Sequence, residues 1–236
     1  MRRLSLCVLR TGAAGAALLT VLTGCTGDDG GGDDDVDLGT RMQSARATLD
    51  DAASIDLSLS TEALPDGVEG LVAAEGTGNH DPAFEGTVTV ASGPLGDIDA
   101  DVVAVDGDVY AQLPFTSGYT PIDPDEFGAP DPAALLATDG GVSEWLTSAD
   151  DLTDDGESRA GDEVLTSVSG TLPGDVVAAL IPSADDAADF DVAFRLTDDD
   201  QLRDASISGP FYPGGDDVTY DLSVAPSDDD VEITAP

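Results

Sequence analysis

Lysine is absent from this chain, and cysteine, histidine and aromatic residues are scarce. Eight arginines stand against 49 acidic residues, for a formal charge of −41. A chain without a basic patch has nothing to grip a phosphate backbone, so nucleic acid is excluded as a partner. The same surface is repelled at short range by anionic lipid headgroups. A single histidine, His80, stands in a polar stretch and reads as a solvated loop residue. Serine triads and histidine-based metal sites need a histidine with placed partners, so neither finds support. Carboxylate pairs are abundant, but so many acids bring pairs together by chance, and a glycosidase needs two opposed in a cleft. Asp151, Thr153, Asp155, Gly156 and Asp162 match the first, third, fifth, sixth and twelfth places of a calcium loop. The twelfth is Asp rather than Glu, Ser158 replaces an apolar residue and a strand follows, so the match reads as chance. No catalytic residue, metal site or cofactor is expected.

Long apolar runs are also missing. Thr11 to Leu22 is apolar and rich in Ala and Leu, but a membrane-spanning helix needs about 20 such residues. Arg2, Arg3 and Arg10 precede or flank this stretch, and Leu22-Thr23-Gly24-Cys25 follows it. An apolar residue, two small ones and a cysteine form a lipobox, which lipoprotein signal peptidases cut once the cysteine sulfur is acylated. Residues 1–24 are therefore read as a cleaved export signal rather than a transmembrane anchor, with Cys25 lipidated. Residues 25–38 are read as the acylated cysteine and a flexible Gly- and Asp-rich tether, and residues 39–236 as one domain. Such a chain sits on the extracytoplasmic face of the cell membrane, held by its acyl chains at ~0.8 kcal/mol per buried methylene. Cys7 leaves with the signal and Cys25 carries lipid, so no disulfide is available to the domain.

Hydrophobic periodicity places the elements. Met42, Ala45, Leu49 and Ala52 recur at helical spacing, predicting a helix over 40–54 with Thr40 as its N-cap. Ile55, Leu57 and Leu59 then alternate with polar residues, the signature of a half-buried strand. A Pro-Asp-Gly turn at 65–67 leads to a weaker strand near 71–74, and Phe84, Val88 and Val90 mark another. Ile98, Ala100, Val102 and Ala104 face one side of a long strand, and Asp106-Gly107 is a strong hairpin signal before Val109, Ala111 and Leu113. The stretch 114–132, with five prolines, reads as irregular. Short helices are predicted over 132–137, 142–149 and from Pro173-Gly174 to Ile181. Strands are predicted over 164–171, 190–197, 201–208, 218–224 and 231–233. The result is an α+β fold, a curled antiparallel half-barrel sheet with helices packed across its concave face. Between sheet and helices lies a space that either side chains or a ligand fill, and the inward residues are mostly Ala and Val.

Three stretches carry a resemblance. They are 96–111 (GDIDADVVAVDGDVYA), Asp131-Pro132-Ala133 before an apolar pair and an Asp-Gly-Gly, and Glu157-Ser158-Arg159 leading to Val168-Ser169-Gly170. With the lipobox and the helix after it, residues 22–234 resemble the LppX/LprAFG family of actinobacterial lipoproteins, closest to the LprG type. The chain departs from that pattern in its greater acidity and in a longer Gly-Pro insertion near 93–96. The resemblance implies an apolar cavity that binds acylated lipids or glycolipids and carries them across the cell envelope. It also implies work with a major-facilitator transporter and no enzymatic activity. An acyl chain asks only for apolar surface, so the expected lining is Val88, Val90, Ile98, Ala100, Val102 and Ala104 from the sheet. Leu49, Trp145, Leu146, Val177 and Leu180 are expected to join it from the helices. The rival readings are an envelope adaptor with a filled core and a carboxylate-based hydrolase.

Overall fold

The computed structural model describes residues 33–93, 96–127 and 129–236. The signal, Cys25 and the tether up to Gly32 lie outside these residues, as do Pro94 and Leu95 of the Gly-Pro insertion. Helix α1 (Asp33–Asp50) is followed by β1 (Ser54–Ser60), β2 (Gly70–Asn79), β3 (Ala83–Ala91), β4 (Asp97–Val105), β5 (Asp108–Gln112) and β6 (Thr120–Ile122). Two short 3-10 turns, Pro124–Phe127 and Ala134–Leu136, precede α2 (Val142–Ser148). The chain then runs through β7 (Asp150–Ala160), β8 (Glu163–Pro173), α3 (Gly174–Leu180), β9 (Asp189–Thr197), β10 (Leu202–Gly209) and β11 (Val218–Ser227).

All eleven strands join one open antiparallel sheet in the order β6-β5-β4-β3-β2-β1-β11-β10-β9-β8-β7. Every sequence neighbour in each half pairs with the next, and the halves are sewn together where β1 meets β11. Turn chemistry sets the registers. Asp106 and Gly107 have φ of +57° and +81°, the paired positive values of a two-residue hairpin turn that matches strand twist. Both edges are blunted against further pairing. Strand β6 has three residues, one of them Pro121, and β7 is exposed, acidic and broken by two register shifts.

One face of the sheet is apolar and the other polar, because side chains alternate along each strand. On β1, Ile55, Leu57 and Leu59 point inward and Asp56, Ser58 and Ser60 outward. Leu38, Met42, Ala45 and Leu49 of α1 meet the inward face, each large one contributing about 1.5–3 kcal/mol. Arg41 fastens α1 to the β9–β10 turn through the Asp200 carboxylate at 2.6 Å and the Thr197 carbonyl at 3.2 Å. Arg46 reaches the Thr147 hydroxyl at 2.8 Å and the Thr138 carbonyl at 3.0 Å, tying α1 to α2 and to the segment before it.

The helix predicted from Thr40 begins instead at Asp33, so Thr40 is an interior residue and not the N-cap. The strand expected at 231–233 does not form, since β11 already pairs on both sides and ends at Ser227. Strand β7 occupies the stretch matched to a calcium loop. Thr153 and Gly156 pair there with Ser169 and Ser167 of β8, Asp151 (φ +53°) and Asp155 fall at the two register shifts, and Asp162 lies in the turn to β8, so the stretch is an edge strand with bulges rather than a helix-flanked calcium loop.

Candidate functional site

The two halves of the sheet are filled differently. Across β8 to β11 the inward face carries Phe190, Phe194 and Tyr220, and the β10–β11 loop adds Phe211 and Tyr212. Phe190, Phe211 and Tyr220 stack edge to face with centroids 4.9 and 5.0 Å apart. With Val177 and Leu180 of α3 they leave this half closed. Across β2 to β5 the inward positions are mostly small, with Leu71 and Phe84 the larger exceptions. The paired registers align Ile55, Gly78, Phe84, Ala104 and Val109 in one row, and Leu57, Gly76, Gly86, Val102 and Ala111 in the next. A third row holds Leu59, Ala74, Val88 and Ala100.

These rows grade from filled to empty. Phe84 is fully buried, and its ring lies over Gly76 and Gly86, where a Cβ on either glycine would collide with it. Gly78 likewise makes room for the Leu136 side chain. The 3-10 turn bearing Leu136 is thereby seated on the sheet at the Ala104 end. His80 holds it there. Its Nδ1 lies 2.7 Å from the Leu136 carbonyl and its Nε2 2.9 Å from the Leu49 carbonyl at the end of α1. The residue read from sequence as a solvated loop histidine is therefore a part-buried bridge between α1 and the covering segment.

Toward the other end of β3 and β4 the cover and sheet part, leaving a pocket of about 210 Å³. Its floor is Leu71, Ala74, Val88, Val90, Ile98, Ala100, Val102, Val109 and Ala111, and its cover is Pro124, Ala129, Pro130, Pro132 and Leu135. Leu113 and Ile122 flank it, and Ser92 is the sole polar side chain among the described residues that line it. Leu113 is 48% exposed while lining the pocket, so the pocket opens there. Prolines shape the cover. They lack the N–H a helix or sheet would use, so the backbone crosses the sheet irregularly until the Asp131 carboxylate receives the Ala133 N–H at 2.9 Å and starts the 3-10 turn.

Five of the eleven expected lining residues, Val88, Val90, Ile98, Ala100 and Val102, stand together on this floor. Ala104 is one step beyond it, fully buried beside Phe84. Leu49 of α1, Trp145 and Leu146 of α2, and Val177 and Leu180 of α3 are buried in the packed core rather than in the pocket. Among the described residues the pocket is covered by Pro124, Ala129, Pro130, Pro132 and Leu135, from the two 3-10 turns and the chain between them, not by α1, α2 or α3. Val109, Ala111 and Leu113 continue the same alternation onto β5, a signal already present in the sequence. Proline-rich residues 124–132 carry no period that would have placed them.

The pocket's chemistry is limited to apolar contact. No Asp, Glu, His, Arg or Tyr side chain is among its lining residues. Among the described residues, no group of three His, Cys, Asp or Glu side chains stands ready to hold a metal. A pair of buried phenols meets the floor at Leu71 from the same face of the sheet. Tyr220 donates to the Leu71 carbonyl at 2.6 Å and Tyr212 meets the Tyr220 hydroxyl at 2.7 Å. Burial raises the pKa of both phenols, so both serve as neutral hydrogen-bonding groups.

Fold and pocket together define a single-sheet α+β class, eleven antiparallel strands with an apolar recess under an irregular cover. Within it, the chain belongs to the LppX_LprAFG lipoprotein family, whose model matches residues 39–234. The crystal structure of LprF from Mycobacterium bovis is similar, with a TM-score of 0.69 at 14% identity, covering 85% of this chain and 97% of that one. LppX from Mycobacterium tuberculosis gives a TM-score of 0.61 at 15% identity, covering 85% of this chain and 100% of that one. No curated protein matches the chain in sequence. Among the described residues, no helix is long and apolar enough to cross a membrane.

Proposed function

We propose that this lipoprotein holds an acyl chain of a lipid or glycolipid in the recess and carries it across the cell envelope. It is anchored through Cys25 to the extracytoplasmic face of the membrane. The observation that carries the reading is the recess itself, about 210 Å³, lined by apolar side chains and open beside Leu113. A methylene moved from water into such a lining gains about 0.8 kcal/mol. A rigid dry cavity of ~150 Å³ accepts a benzene ring, and drug-sized sites start near ~300 Å³. The recess therefore takes a length of one acyl chain, with the polar headgroup left at the opening. Ser92 is the one hydroxyl among the described lining residues, and no histidine or carboxylate lines the recess with it, so we assign it no reaction. A transporter partner fits a protein whose cargo must leave a bilayer before it is carried.

Mass spectrometry of the purified unacylated domain tests this reading. Wild type is expected to retain acylated lipid from cell-envelope extracts. Val88→Trp and Val102→Trp each place an indole in the recess and should lower retained lipid by roughly tenfold or more, a loss of about 1.4 kcal/mol or greater. The indole enters existing space, so overpacking strain is limited and the melting temperature should remain near that of wild type. Folded tryptophan variants that extract lipid as well as wild type would place the cargo elsewhere.

A further inference from the structure

The opening of the recess carries a feature that lipid storage alone does not require. Phe115 is fully exposed at 107% of its reference area, and Leu113 beside it is 48% exposed. These are the exposed large apolar side chains among the described residues. Phe115 sits at the tip of the β5–β6 connection in a tight turn, Leu113-Pro114-Phe115-Thr116. The Thr116 N–H donates to the Leu113 carbonyl at 3.1 Å, and the Thr116 hydroxyl donates to the same oxygen at 2.8 Å. Pro114 precedes a residue with φ of +71°. A turn with proline second and positive φ third calls for glycine in that third place. A bulky aromatic there is unfavourable for the backbone and meets nothing in the fold. Folding does not account for this residue, so a surface outside the molecule must.

The surroundings identify that surface. About a quarter of all residues are charged, yet Val109 to Ile122 contains no charged residue, the longest such run after the first 30 residues. The β3–β4 connection at the same end of the recess is also uncharged from Gly86 to Gly96. A protein partner of so acidic a chain would be met with charge, whereas lipid acyl chains are met with exposed apolar side chains free of charge. We propose that the Leu113-Pro114-Phe115 turn is a membrane-inserting prong that seats the mouth of the recess on a lipid surface. Its purpose rests on the recess being a lipid site, but its contact with the bilayer is a separate property. One inserted aromatic binds weakly, and it suffices when an anchor already holds the body near the membrane.

The test uses the mature chain with Cys25→Ala, so that no acyl anchor contributes, and vesicles of phosphatidylcholine. Phe115→Trp supplies a probe at the tip, and Trp145, 3% exposed, gives a constant background. Its emission should shift to the blue on adding vesicles and be quenched by brominated phosphatidylcholine. Phe115→Gly suits the turn better and should keep or raise thermal stability while vesicle partitioning falls roughly ten- to a hundredfold, as expected for one phenylalanine side chain. Both proteins should still take up lipid from detergent micelles. Unchanged emission of Phe115→Trp, or equal flotation of Phe115→Gly and its parent, overturns the prong. Partitioning that depends on Phe115 with no micellar uptake by either protein overturns the recess as a lipid site and leaves the prong standing.

Discussion

One phenol oxygen ties three parts of the molecule together. Tyr220 on β11 donates to the carbonyl of Leu71, a floor residue of the recess, and accepts from Tyr212 in the loop before it. Both rings are buried, with Tyr220 4% and Tyr212 6% exposed. Removing the central hydroxyl strands two buried polar groups, which costs about 1–3 kcal/mol, whereas removing the outer one breaks a single bond worth about 0.5–1.5 kcal/mol. Tyr220→Phe should therefore destabilise more than Tyr212→Phe in urea unfolding, and equal losses would show that Tyr212 does not depend on Tyr220. The pair also sets an alkaline limit. Burial raises both pKa values above their unfolded value near 10. The folded state thus holds protons that the unfolded state releases, and this contribution is present below about pH 10 and is lost as pH rises beyond it. Tyr220→Phe should weaken that pH dependence.

At the level of elements, the segment over the recess is held at one end by side chains and enters at the other from β6, which pairs with β5. Leu136 is seated over Gly78, His80 bridges Leu136 to the end of α1, and Arg46 holds the Thr138 carbonyl. Among the described residues of 124–130, no side-chain hydrogen bond of this kind reaches the floor beneath them, where the recess opens. His80→Ala should cost about 0.5–1.5 kcal/mol for each hydrogen bond lost. It should raise amide exchange across 133–138 and leave β9 and β10 unchanged; uniform acceleration would mean that the histidine supports the whole fold. The same contrast explains what the sequence reveals. Strands β4 and β5 are legible because Ile98, Ala100 and Val102 alternate with Asp97, Asp99 and Asp101, and because Asp106-Gly107 suits one turn. Half of the site follows from that period, including Val109 and Ala111. The cover does not, because Pro124, Pro130 and Pro132 break both periods, and contacts with distant Gly78 and His80 decide its path. Strand β7 is hidden for another reason. An exposed edge strand buries neither face, so Asp150 to Ala160 carries no alternation, and the start of α1 is masked by polar residues that suit a tether equally well.

For the molecule as a whole, charge is laid out as a constraint on orientation. Arg41, Arg46, Arg195 and Arg203 each hold a carboxylate, and the arrangement leaves a large excess of acids on the outer face of the sheet and on β7. Exposed ion pairs contribute little, about 0–1 kcal/mol each, so mutual repulsion among the remaining carboxylates is the larger electrostatic effect on stability. The Debye length is about 30 Å at 0.01 M salt and ~8 Å at 0.15 M. At low salt, acids far apart on one face repel each other, and at moderate salt only near neighbours do. Raising sodium chloride from about 0.01 to 0.15 M should therefore raise the melting temperature, by roughly 2–4 °C for each kcal/mol of repulsion removed in a domain of this size. A flat or falling melting temperature over that range would show that the arginine pairs, not the unpaired acids, dominate. The same screening should strengthen contact between the uncharged mouth and vesicles containing anionic lipid far more than contact with phosphatidylcholine alone. In the proposed seating, repulsion of the acidic faces and attraction of the apolar opening act together, and both favour turning the recess toward lipid.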